Sequence, residues 1–143
     1  GLVAVTAGCD IVSYGGAAVI GMLASVALLF GIEFIDRKLK IDDPVGAIGV
    51  HGLCGALGTF CVGIFATDGG LLYGGGVSLL MIQSLGVFAV ATWTLSTTYV
   101  LFKAIDLTVG LRVSEEEETS GLDIEEHGIE SYADFAPRIL YIK

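Results

Sequence analysis

The chain has 143 residues, a mean hydropathy of +0.80, 54% hydrophobic residues and a net charge of −9. Such apolarity excludes an ordinary soluble domain and points to an all-α, polytopic membrane helix bundle. The acid excess argues against nucleic acid as a partner, and the sequence offers no nucleophile–base pair, metal-type cysteine spacing or phosphate loop, so it reads as no enzyme, with no metal and no cofactor.

Residues 1–16 are small and, apart from Asp10, uncharged. They read as the end of a preceding membrane helix with an outer loop. With neither a basic leader nor a cleavage site, they resemble no signal peptide, and the chain reads as the C-terminal piece of a longer polytopic protein. Residues 17–35 then form the first full apolar run, with Glu33 its single charge, while 45–66 and 77–102 carry no charge at all. Each exceeds the roughly 18 apolar residues that a spanning helix needs. The pattern predicts a transmembrane region over 17–105, with helices at about 17–35, 44–66 and 77–105. At about 1.5 Å per residue the last is longer than the bilayer core is thick, so it should tilt. Residues 106–143 form a tail with ten acids against Arg112, Arg138 and Lys143.

Arg37, Lys38 and Lys40 lie in the connector 36–43, whereas 67–76 holds no base. The positive-inside bias therefore places the first connector, and by alternation the tail, in the cytoplasm. Cys54 and Cys61 stand seven apart on one helix face and read as small buried filler. Glu115–Glu118 reads as a solvated acidic face.

The span 44–66 differs from the others. Gly46, Gly49, Gly52, Gly55 and Gly58 recur every third residue, so they wind around a helix and strip bulk from several faces, which suits either close packing or a lumen. His51 sits among them. An ionisable ring at membrane depth costs a few kcal/mol when charged and is a functional candidate by default, the plain alternative being a histidine bonded across helices to hold a bundle. A neutral imidazole offers one N–H donor and one bare nitrogen acceptor, which suits ammonia, methylammonium or a relayed proton. Asp42-Asp43-Pro44 reads as a helix start, with an aspartate accepting from first-turn N–H groups and proline in the first turn. Asp43 serving cations at the inner mouth is the other reading. Counted from Pro44, His51 lies about 10 Å into the helix.

Four segments resemble the ammonium transporter (Amt/Mep/Rh) family: Gly1-Leu2-Val3-Ala4-Val5-Thr6-Ala7-Gly8-Cys9; Leu39 to Pro44 with Gly49-Val50-His51-Gly52-Leu53-Cys54-Gly55; Ala104 to Val113; and Gly121-Leu122-Asp123-Ile124-Glu125-Glu126-His127-Gly128. The resemblance runs from residue 1 to about 135. It implies an eleven-helix fold of two inverted halves plus a long last helix, of which this chain holds the end of helix 8, helices 9 to 11 and the tail. It further implies a homotrimer in the lipid bilayer with one hydrophobic pore per subunit, carrying ammonium or ammonia with methylammonium as analogue. By that resemblance His51 is the second histidine of the twin-histidine pore. Thr6 falls on a threonine near the pore, and Asp43 on the acid just before helix 10. The partner histidine, the outer acidic site and the aromatic gate belong to helices outside this chain. Gly46 departs from the family pattern, where bacterial members often carry a second aspartate. Family tails contact neighbouring subunits, and a PII-type signal protein is an implied partner at the cytoplasmic face. The alternative function is an ammonium sensor that uses the same fold and its tail.

Overall fold

The computed structural model describes residues 1–129, so the expectations for the rest of the acidic tail lie outside the described residues. These residues are helical, with one isolated bridge between Val12 and Ala66. In order they form α1 (Leu2–Thr6), α2 (Tyr14–Phe34), a π-helical turn (Ile35–Leu39), a second π-helical turn (Ala47–Leu53), α3 (Cys54–Phe65), a 3₁₀ turn (Leu71–Tyr73), α4 (Ser78–Thr108), α5 (Glu115–Ser120) and α6 (Asp123–His127). Three continuous helical stretches are long and apolar enough to cross a membrane, Tyr14–Leu39, Ala47–Phe65 and Ser78–Thr108. The chain divides into two units, Gly1–Leu95 and Ser96–Lys143.

In the first unit, Ser13 starts α2 by accepting the Gly16 N–H on its hydroxyl. This satisfies one amide that the helix leaves without a carbonyl. The first π turn continues α2 for five residues and closes at Lys40, which is left-handed (φ 55°). Part of the expected connector is therefore helical, and Glu33 pairs with Arg37 one turn on at 2.8 Å. The core is thin: Ala4, Ile20, Ala24, Cys54 and Cys61, with Val5, Val12, Leu28, Leu57 and Phe65 packed around them. Both cysteines are buried, and the Cys54 thiol donates to the Ala24 carbonyl at 3.6 Å. Small residues let backbones meet. A Cβ on Gly58 would stand 2.6 Å from the Ala4 Cα, so α1 lies directly on α3 there. Likewise a Cβ on Gly63 would meet the Leu80 backbone of α4.

The far end of α3 is tied to the loop before α2. Thr67 donates to the Ile11 carbonyl from its backbone N–H (2.9 Å) and from its hydroxyl (3.0 Å), and the Ser13 hydroxyl meets the Tyr73 hydroxyl at 3.1 Å. Hydroxyls inside the helices bond back to their own turn, Ser25 to Gly21, Thr59 to Gly55 and Ser84 to Leu80. That habit satisfies a polar group without a partner helix. No residue of α4 is buried, and Leu85, Phe88, Trp93 and Leu95 are each more than half exposed. An apolar surface of that extent needs lipid or further helices against it.

In the second unit, Lys103 pairs with Asp106 at 3.2 Å within the last turns of α4. The chain then passes Gly110 in a left-handed conformation and enters α5 through a capping box in which Ser114 and Glu117 exchange side-chain-to-backbone bonds. Glu115–Glu118 fill the first turn of α5, where negative charge meets the positive helix end, and Arg112 reaches Glu118. The Glu117 carboxyl is held below its usual range, chiefly by the Ser114 hydroxyl and backbone.

The approach at Gly58 gives a direct test. Gly58→Ala places a methyl against Ala4 backbone atoms that cannot swing aside, an overpacking that costs about 1–3 kcal/mol. In the full-length protein the substitution should lower the thermal midpoint in detergent, whereas Gly21→Ala, with open space around it, should not.

Candidate functional site

The site is built on the connector between the two π turns. Asp43-Pro44-Val45-Gly46 closes as a tight turn, with the Gly46 N–H donating to the Asp43 carbonyl at 3.1 Å. Pro44 presets the backbone of its second position, and Gly46 takes a left-handed conformation (φ 71°) that disfavours any residue with a Cβ. Helix begins only at Ala47, so residues 44–46 are a turn and not the first helical turn that the sequence suggests. His51 thereby lies four residues past the helix start instead of seven.

The opening amides of this turn have no helical acceptors, and Asp43 supplies one. Its Oδ2 accepts from Ile48 N at 3.0 Å and from Gly49 N at 2.9 Å, while Val50 N reaches the Gly46 carbonyl at 2.7 Å. Asp43 therefore caps the helix from across the turn. Its carboxyl is held below the ordinary aspartate range, first by the Gly49 N–H and then, against some desolvation, by Ile48 and Ala47.

His51 is the fifth of seven residues in the π turn Ala47–Leu53. Such turns are rare and occur mostly as single wide turns, frequently at functional sites. The ring is exposed on this chain and has no hydrogen-bond partner among the described residues. A Cβ on Gly52 would touch only the Ala47 carbonyl, and one on Gly55 only a Val3 methyl, each at 3.8 Å. These two glycines leave space beside the histidine. Gly49 and Gly58 do the opposite. Gly49 is buried under Ile32 and Leu28 of α2, and Gly58 under Ala4. The glycine series thus divides between open surroundings and close helix approach.

Thr6 lies on α1 with its hydroxyl donated to the Leu2 carbonyl at 2.7 Å. No hydrogen bond joins Thr6, Asp43 and His51 to one another among the described residues. Asp43 and His51 are nonetheless brought together through the backbone, since the amides that Asp43 holds belong to the turn carrying the ring. A shallow cleft of about 120 Å³ beside the connector is lined by Ile32, Ile35, Asp36, Ile41, Asp42, Asp43 and Pro44. No cluster of three or more His, Cys, Asp or Glu side chains that could hold a metal occurs among the described residues.

Sequence reasoning missed two contacts that bear on this turn. Leu53 fills the notch left by Gly31 on α2, and Ile32 covers Gly49. The signal for the first was Gly31 itself, a lone glycine between Leu28 and Phe34 where the apolar helix is otherwise bulky.

The sequence model of the Ammonium Transporter Family matches residues 1–132. The chain belongs to the ammonium transporter family. It is 42% identical over 135 residues to the ammonium transporter Amt1 of Haloferax mediterranei, covering 94% of this chain and 25% of that protein. It is 44% identical over 128 residues to a putative ammonium transporter of Synechocystis, covering 90% and 27%. With Amt1 of Methanocaldococcus jannaschii it shares 44% over 126 residues, covering 86% and 31%. The chain thus spans between a quarter and a third of the length of these relatives. Family membership and the apolar helices make it a membrane-embedded, multi-pass helical protein.

The Asp43 cap carries a pH signature. A carboxyl whose folded value is depressed contributes fully above its unfolded value of about 3.9, and that contribution is lost as pH falls through the lower folded value. Amide exchange at Ile48 and Gly49, corrected for intrinsic rate, should therefore lose protection below about pH 4. Asp43→Ala should show the same loss at neutral pH.

Proposed function

We propose that this chain is the C-terminal part of an ammonium or ammonia conduit in which His51 lines the pore. The reading is carried by one observation: within a family match over residues 1–132, the single histidine of the central span sits on a wide turn with open surroundings. A small nitrogen species leaving water loses its hydration, and a charged one loses several kcal/mol with it. An imidazole offering one acceptor and one donor offsets part of that loss without a fixed charge that would hold the cargo back. Asp43 acts by shaping the turn at the inner mouth, and Thr6 belongs to the adjoining wall. The twin-histidine partner comes from helices outside this chain.

In this reading residues 1–16 close a preceding helix and loop, 17–105 are the transmembrane region, and 106–143 are a cytoplasmic tail. The three bases of the first connector support that orientation. The assembly is a homotrimer, and a PII-type signal protein meets its cytoplasmic face; both proposals rest on the family resemblance.

Methylammonium uptake by the full-length protein tests the conduit. His51→Ala should reduce uptake at least about tenfold, equivalent to about 1.4 kcal/mol or more on the barrier, with assembly unchanged. Unchanged uptake in correctly assembled His51→Ala protein overturns the pore role. Ammonium-dependent signalling with no flux in the parent would favour a sensor instead.

A further inference from the structure

We propose that α2 positions the His51 ring through a notch-and-plug contact, with Gly31 the notch and Leu53 the plug; the idea rests on the pore reading of His51 and extends it to two residues that pack beside its turn. Leu53 is the last residue of the π turn, two after His51. Its Cδ2 methyl occupies the space in which a Cβ on Gly31 would stand. Four residues earlier, Gly49 lies under Ile32, where an added Cβ would be 3.0 Å from the Ile32 Cγ1, and under Leu28 at 3.4 Å. The turn is therefore gripped by α2 at two points, one on each side of the histidine, and held at its start by Asp43.

A wide turn needs such support. With bonds to the fifth residue on, it has poor intrinsic stability and borders an α-helix of different register at Cys54. A shift of register turns every side chain of the segment about the helix axis, including the ring of His51. The cap fixes where the turn starts, and the plug fixes where it ends. Between them the direction of the imidazole is set by residues that bond to or pack against its turn. Leu53 and Gly31 are thus positioning residues.

The test reads the ring itself, with diethyl pyrocarbonate as the probe. His51 carbethoxylation in the full-length, assembled protein is followed by peptide mass spectrometry, with exposed His127 as internal reference. Leu53→Ala empties the notch and Gly31→Val expels the plug from the opposite wall. Both should change the His51 rate about threefold or more, reduce methylammonium uptake by a similar factor, and leave the His127 rate alone. Leu53→Met, which can still reach the notch, should restore both values. If assembled Leu53→Ala protein reacts at His51 at the wild-type rate, the proposal is overturned, whatever Gly31→Val does. Should Gly31→Val fail to assemble, Leu53→Ala and Leu53→Met decide between them. Because carbethoxylation does not depend on transport, a changed rate in a protein whose uptake ignores His51→Ala would sink the pore reading and leave the positioning contact standing.

Discussion

One carboxylate governs the placement of the central span. The first amides of a helix have no carbonyl behind them, and near the apolar layer they have little water either, so an acceptor must come from the chain. Asp43 supplies it for Ile48 and Gly49, and Gly46 makes that geometry reachable by turning the backbone left-handed. With the turn closed, Ala47 becomes the first helical residue of the π turn that runs to Leu53. Within that turn Gly49 is buried under α2 and His51 is exposed. Pro44 contributes by lacking an N–H that would need its own acceptor.

Packing in the first unit then depends on what the side chains leave out. The buried side chains are mostly small, and the helices come together through glycine and alanine instead of through interdigitated bulk: Gly58 against Ala4, Gly63 against Leu80, Gly31 against Leu53. This is how helices associate where hydrocarbon surrounds them, since lipid tails are as apolar as leucine and only close contact is gained. The large apolar residues consequently face outward, Leu29 and Phe30 on α2, Leu85, Phe88 and Leu95 on α4. Such surfaces are the complement of lipid or of neighbouring helices.

Sequence and structure part company where periodicity ceases to be informative. The spans were legible because uncharged apolar runs of that length are rare outside a bilayer, and His51 stood out as a candidate because an imidazole among glycines at membrane depth is costly to keep. Asp43 was legible as a cap, yet not the start it caps. Proline and aspartate signal a helix N-terminus without distinguishing a first helical turn from a tight turn four residues long. The π register left no trace, because a series of glycines every third residue carries no apolar stripe from which 3.6 could be told from a wider pitch. The plug of Leu53 in Gly31 joins residues 22 apart on different helices, and only their separate identities appear in the sequence. The family resemblance added what local physics lacked, a reason to expect a second histidine elsewhere.

The inventory of polar side chains in the central span narrows the chemistry further. Between Ala47 and Phe65 they are His51, Cys54, Thr59 and Cys61. Thr59 donates its hydroxyl proton to the Gly55 carbonyl, Cys54 donates its thiol proton to Ala24, and Cys61 is buried in the core. The two cysteines are committed to the packed core, and Thr59 to its own helical turn. His51 alone is exposed with no hydrogen-bond partner among the described residues, and the glycines at 52 and 55 keep bulk away from it. In the proposed conduit the described residues of this chain take up neither nitrogen of the ring, which leaves its donor and acceptor to the partner histidine and to the cargo.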